Sequence, residues 1–560
     1  MHHAEAEALV RSRAFAKKRS KVTTFRAADL RSADIMLQSN IGFIGLAAAS
    51  ALLIECKLLH HNNLTAARWL ATPGAQLMRC IITQGIVMQP ESGGDSKTKG
   101  VRGVVADVLD GLSSMNRGTV RNTIKTMRLT GYATHQLLEG NVFPAMDAVV
   151  TMNEQFAASV IATVRERRGI VALAKETTDR WRSGAKYQRL VMRHGKQLYG
   201  SARFAGETVL ATNEFLKLSY LPPKDGVERR AVALFHAGGG LPYGDKIFRF
   251  LPESNFYDRF LERGIPVYAV ELRGDRYEVN YAGLTIEALI DTFADFSAVA
   301  FEHNERRKMI LEGYCGHGMQ TLAFVAARPE VAEERFSVAC TFVAPYDGTE
   351  CTELAQLGQL TPEIATEASF LMAKLTGGYV PADAMRFSLD LGLKTMFHKT
   401  PLGLFSAGWA QTEYAKVKTL ADLSPTQRRD LTGAYWISAN SARRFPIPLD
   451  LSRFANQLFT KGISKKGEIP FSYRGERLSF RTILEKTTLP LVGFFGGRDV
   501  MVPDRTAFGV MGVMGDRYTH VVHPNAGHIS YILSPKSWAS TNPKALVPNP
   551  IDLLLKKATR

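Results

Sequence analysis

A cysteine, an aspartate and a histidine stand where they could carry out nucleophilic catalysis. Cys315 sits at the apex of Gly313-Tyr314-Cys315-Gly316-His317-Gly318. Met309 to Leu311, just before it, read as the end of a buried strand. Met319 to Ala327, just after it, read as an apolar, Ala-rich helix. A strand, a sharp turn and a helix with a nucleophile at the apex make a nucleophile elbow. Glycine close to the apex lets the strained turn form and lets the helix start near the strand. The helix N-terminus and the Gly316 N–H favour a thiolate and a developing oxyanion. The bland reading is a buried cysteine that precedes a helix.

The acid and the base follow in order. Pro490 to Phe495 read as a strand that runs into Gly496-Gly497-Arg498-Asp499-Val500-Met501-Val502-Pro503. A carboxylate just past a strand end can orient a histidine and stabilise its protonated form. Thr519 to Val522 read as the last short strand, and Pro524-Asn525-Ala526-Gly527-His528-Ile529 puts a histidine on the loop after it. Nucleophile, acid and histidine thus come in the chain order Cys315, Asp499, His528, which is the order of the α/β-hydrolase fold. His520 and His523 compete with His528 but fall on or beside the last strand. Asp504 competes with Asp499 but lies beyond Pro503. Asp347 is a third candidate acid, after an earlier strand.

The elements between them alternate. Ala231 to Phe235 read as a strand that ends in His236-Ala237-Gly238-Gly239-Gly240, Asn255 to Arg263 as a helix and Ile265 to Glu271 as a strand. Leu284 to Phe301 read as a helix and Phe336 to Val343 as another strand. Strands alternating with helices imply a doubly wound, mostly parallel sheet. The His236 loop resembles the oxyanion loop of lipases and esterases, where glycines let backbone N–H groups approach a reacting oxygen. Gly238 and Gly239 join Gly316 as candidate oxyanion donors. The fold expected is α/β, an α/β-hydrolase with a cap insertion and a helical N-terminal region. Its divisions are an N-terminal region (1–104), a helical region (105–222), a first core part (228–349), a cap (350–485) and a second core part (486–560). Leu221 to Gly226 mark the boundary before the core, and Gln89 to Arg102 an earlier loop. Cap aromatics such as Trp409, Tyr435 and Trp436 read as cap core rather than substrate contacts.

Composition bounds the rest. The chain has 560 residues, 45% of them hydrophobic and 22% charged, as in an ordinary soluble protein. Its five cysteines show no CxxC pair, which argues against a disulfide framework or a zinc site and for a reducing compartment. No metal or redox cofactor is expected. Asn40 to Ile54 is the most apolar run and is short for a bilayer span of about 20 residues. No secretory leader and no transmembrane span are expected. The net charge of +17 divides into +14 over residues 1–230 (33 Lys and Arg against 19 Asp and Glu) and +3 over the rest (37 against 34). No nucleic-acid motif accompanies the basic half, so nucleic acid is not an expected partner. The long amphipathic helices from about Arg117 to Leu218 read as a bundle packed against the core, or as a docking module.

These residues together resemble the polyhydroxyalkanoate synthase family, the cysteine-dependent polymerase branch of the α/β-hydrolases. Gly313-Tyr314-Cys315 is similar to the family's Gly-Tyr-Cys turn. Asp499 to Pro503 resembles its Asp-His-Ile-Val-Pro loop, and Gly527-His528-Ile529 its Gly-His-Ile segment. Ala434-Tyr435-Trp436 through Asn456-Gln457-Leu458-Phe459 resembles its Trp-containing segment and the helix ahead of the acid strand. The resemblance covers about residues 228–540. It implies a cytoplasmic acyltransferase of poly-3-hydroxybutyrate biosynthesis, working on 3-hydroxyacyl-CoA and a growing polyester. Coenzyme A enters only as part of the substrate, and a granule surface or a second copy is the implied docking partner. Cys315 would hold the acyl group, His528 would act as base, Asp499 would hold His528, and Gly316 would help bind the oxyanion. The chain departs from the family at His317, where a glycine is usual, and at Val500, where a histidine is usual. The Gly-rich loop after His236 is more like that of an esterase. A hydrolase cutting a polyester or thioester is therefore the second reading. A non-catalytic protein docking through its basic helices is the third.

Overall fold

The fold is that of an α/β-hydrolase, and strand order establishes it. The computed structural model describes residues 121–559 apart from 241–244, 252–254, 275–278, 376, 381–395, 440–446, 535–537, 539–541 and 543. Eight strands make the main sheet: β1 (Thr208–Thr212), β2 (Leu216–Leu221), β3 (Leu234–His236), β4 (Val267–Leu272), β5 (Met309–Tyr314), β6 (Phe336–Phe342), β7 (Leu491–Gly496) and β8 (Tyr518–His523). Their order across the sheet is 1-2-4-3-5-6-7-8. β2 runs antiparallel to β1 and β4, and the others are parallel. Every residue of β3, β4, β5 and β7 is buried. Near-continuous apolar strands of this kind are what a sheet covered on both faces requires.

The helix that follows Asn280 illustrates the local logic. Thr285 caps α3 (Ile286–His303), its side chain accepting from the Ala288 N–H. Ile286, Leu289, Ile290, Phe293, Phe296 and Ala300 recur at helical spacing and are buried against the sheet. The helix after Cys315, α4 (Gly316–Ala327), is buried from His317 to Ala326. That explains why its sequence is apolar all round.

Two expectations need correction. The helical region does not run to residue 222. It gives way to β1 and β2, which form one edge of the sheet. Lys217 on β2 faces Glu271 of β4; Leu216 and Leu218 pack into the core on one face of the sheet, and Leu221 into the core on the other. The strand expected at Ala231 to Phe235 is shorter and later, because only Leu234 to His236 find partners on β4 and β5.

The helices α1 (Phe143–Arg165) and α2 (Gly169–Leu190) pack mainly on the insertion rather than on the sheet. Within the insertion stand α5 (Pro401–Trp409) and α6 (Pro425–Ala439). A Cβ on Gly184 of α2 would lie 2.7 Å from the Phe405 ring, and one on Gly408 of α5 would lie 2.4 Å from Tyr187 Cβ. Glycine at both positions lets the two helices touch backbone to backbone. Tyr187, Leu190, Val191, Leu404, Tyr414, Leu431 and Tyr435 form a separate core between these elements. Trp409 and Tyr435 are buried and so serve as packing, whereas Trp436 is half-buried. Among the described residues, no helix is long and apolar enough to cross a membrane. Asn40 to Ile54 and Gln89 to Arg102 lie outside the described residues.

Candidate active site

Cys315 is the junction of β5 and α4. Its backbone is at φ 51°, ψ −123°, a left-handed conformation that costs a non-glycine residue roughly 1–3 kcal/mol. Its own N–H donates to the Phe342 carbonyl of β6 at 2.8 Å, and its carbonyl accepts from the Gly318 N–H at 2.9 Å. These bonds hold the strained residue in place. Gly313 has the space requirement expected of an elbow: a Cβ there would lie 2.3 Å from Thr321 Oγ1 and 2.8 Å from Gly318 Cα. A Cβ on Gly318 would meet Ala344 Cβ at 2.6 Å. Gly318, three residues after the nucleophile, thus lets α4 start close against Ala344 and Thr341.

His317 therefore does not distort the turn. Its ring is buried beside Phe248 and His236, with ring centroids 6.0 and 6.1 Å away. Burial, and then the neighbouring His236, push its pKa down to about 3, so it stays neutral.

His528 comes from the loop after β8, Asp499 from the turn after β7. His528 Nδ1 is 2.8 Å from Asp499 Oδ2. The other carboxylate oxygen, Oδ1, accepts from the N–H groups of Met501 and Val502, each at 2.9 Å. A carboxylate fixed by two amides cannot turn away from its histidine. The His528 side chain is also hydrogen-bonded to Cys315. Burial pulls its pKa down, but Cys315 and Asp499 outweigh burial and raise it to about 10. Tyr314, next to the nucleophile, donates its hydroxyl to the His528 carbonyl at 2.6 Å and so ties the histidine loop to the elbow.

The competing residues are engaged elsewhere. His523 is buried, with Nδ1 2.7 Å from the Tyr531 hydroxyl and Nε2 2.9 Å from the Pro548 carbonyl. His520 faces Asp504 at 3.4 Å. Asp347 accepts from the Thr349 N–H at 3.0 Å and closes its own turn. Cys351 is buried, and burial, then Cys315 and Asp499, push its thiol well above the ordinary range. That thiol stays protonated and is a poor nucleophile.

The oxyanion candidates separate. Gly316 is the first residue of α4, where N–H groups point along the helix axis without helical partners. Gly239 adopts φ 80°, open to glycine, and a Cβ there would strike Leu216 at 2.5 Å. Gly238 does not fit the role, because its N–H donates to the His236 carbonyl at 3.1 Å. A one-residue turn of this kind has no sequence signature, so the glycine run could not reveal it. Sequence reasoning also passed over Glu312, Gln320 and the Tyr314 hydroxyl. The available signal was Glu312: a carboxylate in an otherwise apolar strand has to find a buried partner.

No protein-family model and no curated protein sequence matches the chain. Solved structures that it resembles include a carboxylesterase of Nitrososphaera gargenis (14% identity, 62% of this chain and 97% of that one, TM-score 0.33). Others are an esterase of Thermogutta terrifontis (16%, 63% and 98%, TM-score 0.31) and a bromoperoxidase of Bacillus anthracis (13%, 61% and 96%, TM-score 0.32). The fold assignment rests on strand order and connectivity; likenesses of this size carry no argument about activity.

Proposed function

We propose that the protein is an acyl-transfer enzyme that carries its acyl group as a thioester on Cys315. The observation behind this is the junction itself: a strained Cys315 hydrogen-bonded to a histidine that a fixed carboxylate holds at 2.8 Å. In the first half-reaction the Cys315 sulfur attacks an ester or thioester carbonyl. The S–C bond forms, the bond to the leaving group breaks, and the His528 proton goes to the leaving alcohol or thiol. Gly316 and Gly239 are the proposed oxyanion donors. In the second half-reaction His528 takes a proton from the acceptor, which displaces the Cys315 sulfur.

The acceptor separates two versions. With water the protein is a hydrolase of a polyester or thioester. This version needs nothing beyond the triad and the donors, and the Gly-rich loop after His236 favours it. With the hydroxyl of a 3-hydroxyacyl-CoA it is a polyhydroxyalkanoate synthase-type polymerase. The resemblance at Gly313 to Cys315, Asp499 to Pro503 and Gly527 to Ile529 favours that version. So do the exposed Phe143, Met146, Val150, Ile161 and Val164 along α1, which would face a polyester or granule surface. Incubation with 3-hydroxybutyryl-CoA tests both. Thiol release with free hydroxy acid supports hydrolysis, release with polymer supports synthesis, and turnover that survives Cys315→Ala contradicts the mechanism.

A further inference from the structure

The mechanism leaves unused a pair of ionisable side chains directly behind the elbow. His236 ends β3 and Glu312 lies in β5, three residues before Cys315. They are register partners in the sheet, and His236 Nδ1 is 2.5 Å from Glu312 Oε2. His236 is 1% and Glu312 0% exposed. Taking two such groups out of water is costly, and a buried pair is often no better for stability than apolar residues of the same size. Stability alone is thus a poor reason for it to be there. Its position suggests another. The Ala237 N–H donates to the Glu312 carbonyl at 2.9 Å, and the Gly238 N–H to the His236 carbonyl. A Cβ on Gly238 would lie 2.9 Å from His236 Nε2, so the imidazole lies against the loop. The far end of the loop is held as well, because buried Gln320 of α4 donates to the Gly240 carbonyl at 3.2 Å.

We propose that His236 and Glu312 are positioning residues: their side-chain pair locks the Ala237–Gly240 loop to the strand that carries Cys315, and so fixes the loop N–H groups that receive the acyl oxygen. The inference deepens the acyl-transfer reading and rests on it. It separates two properties of the site. The supply of thiolate at Cys315 depends on His528 and Asp499. Stabilisation of a tetrahedral oxyanion depends also on the loop. Loosening the loop should slow attack on a carbonyl and leave attack on a saturated carbon alone.

Two probes separate these. With iodoacetamide an S–CH2 bond forms, iodide leaves and no oxyanion arises. With p-nitrophenyl acetate an S–C(O) bond forms through an oxyanion, and p-nitrophenolate leaves in a measurable burst. The variant to compare is the double substitution His236→Phe/Glu312→Leu, which removes both polar groups together and leaves no buried charge unpaired. The expected result is a burst rate about tenfold to a hundredfold lower, with the alkylation rate within about twofold of the parent chain. Glu312→Gln, which keeps an acceptor for the His236 ring, should recover most of the burst rate. If the two rates are unchanged, or fall together, the positioning role is overturned. If the unsubstituted chain gives no burst but its Cys315 is alkylated, the acyl-transfer reading itself fails, and this inference with it.

Discussion

His528 is the residue whose environment says most about the chemistry. Its ordinary value is 6.5, and Cys315 and Asp499 hold it at about 10 against the opposing effect of burial. The folded chain thus binds this proton more tightly than the unfolded chain. The stability so gained is complete below pH 6.5 and is lost as the pH rises through about 10. An NMR titration of the imidazole should give a value near 10, and a lower one in Cys315→Ala, where one of the two raising partners is gone. A titration unaltered by that substitution would remove Cys315 from contact with His528. His317 has the opposite sign. Its folded value, about 3, lies below 6.5, so the unfolded chain takes up a proton first as the pH falls. Its contribution is complete above pH 6.5 and declines toward pH 3, by about 1.4 kcal/mol per pH unit over that window. Denaturant midpoints at pH 7.5 and 5 should converge in His317→Leu relative to the parent chain. His523 provides the contrast in role. His523→Ala should cost about 1–3 kcal/mol of stability, since it strips buried partners from Tyr531 and Pro548. Activity per folded molecule should survive that change, whereas His528→Ala should abolish activity even in the folded fraction. Activity assays on melt-matched samples check both; the reverse pattern would mean that the working histidine is His523.

At the scale of elements the elbow is the critical piece, and its tolerance is set by two glycines. Gly313→Ala places a methyl group 2.3 Å from Thr321 Oγ1 and 2.8 Å from the Gly318 backbone. The second contact cannot be relieved by rotating a side chain. Gly313→Ala should therefore shift the α4 start, and lower the rate of Cys315 alkylation by iodoacetamide by about tenfold or more, as misplacing a reacting group does. Normal alkylation would show that the elbow is looser than its packing implies. Much of this scale was legible beforehand. From Ile265 onward, apolar runs bounded by turns alternate with helical spacing; β4, β6, β7 and β8 lie within a residue or two of where that pattern puts them, whereas β5 runs three residues past Leu311, to Tyr314. The positions and order of Cys315, Asp499 and His528 were legible for the same reason, because each sits just past a strand end. The sheet edge was not. β1 is largely exposed and the burial of β2 is interrupted at Lys217 and Tyr220, so neither has the continuous buried run that marks a central strand. The pairing of β2 with β4 is a long-range fact that no local pattern carries. Hydrogen-bond direction was equally hidden: nothing in a run of three glycines says that Gly238 turns its N–H to His236 while Gly239 does not share that bond.

At the scale of the whole molecule, the sheet is accompanied by a helical layer built from two distant parts of the chain. α1 and α2 come before the sheet, α5 and α6 from the insertion after β6, and their shared core is separate from the two cores that flank the sheet. The insertion was expected as a cap; its partnership with the N-terminal helices was not readable, because it depends on Gly184 meeting Gly408 across more than two hundred residues. Glu271 and Glu207 meet buried Arg249 beside the sheet edge, and Arg249 is held charged by them against the cost of burial. Arg249 thus ties Glu207, just ahead of β1, to Glu271 of β4.

The central claim is a covalent acyl group on Cys315, and peptide-mapping mass spectrometry tests it most directly. The purified chain is mixed with 3-hydroxybutyryl-CoA and with p-nitrophenyl acetate, quenched in acid within the first turnover, digested and mapped. The expected result is a mass increase of one acyl group on the peptide that contains Cys315, none on the peptides of Cys340 and Cys351, and none anywhere in Cys315→Ala. Acylation of another residue, or an adduct that persists in Cys315→Ala, would contradict it.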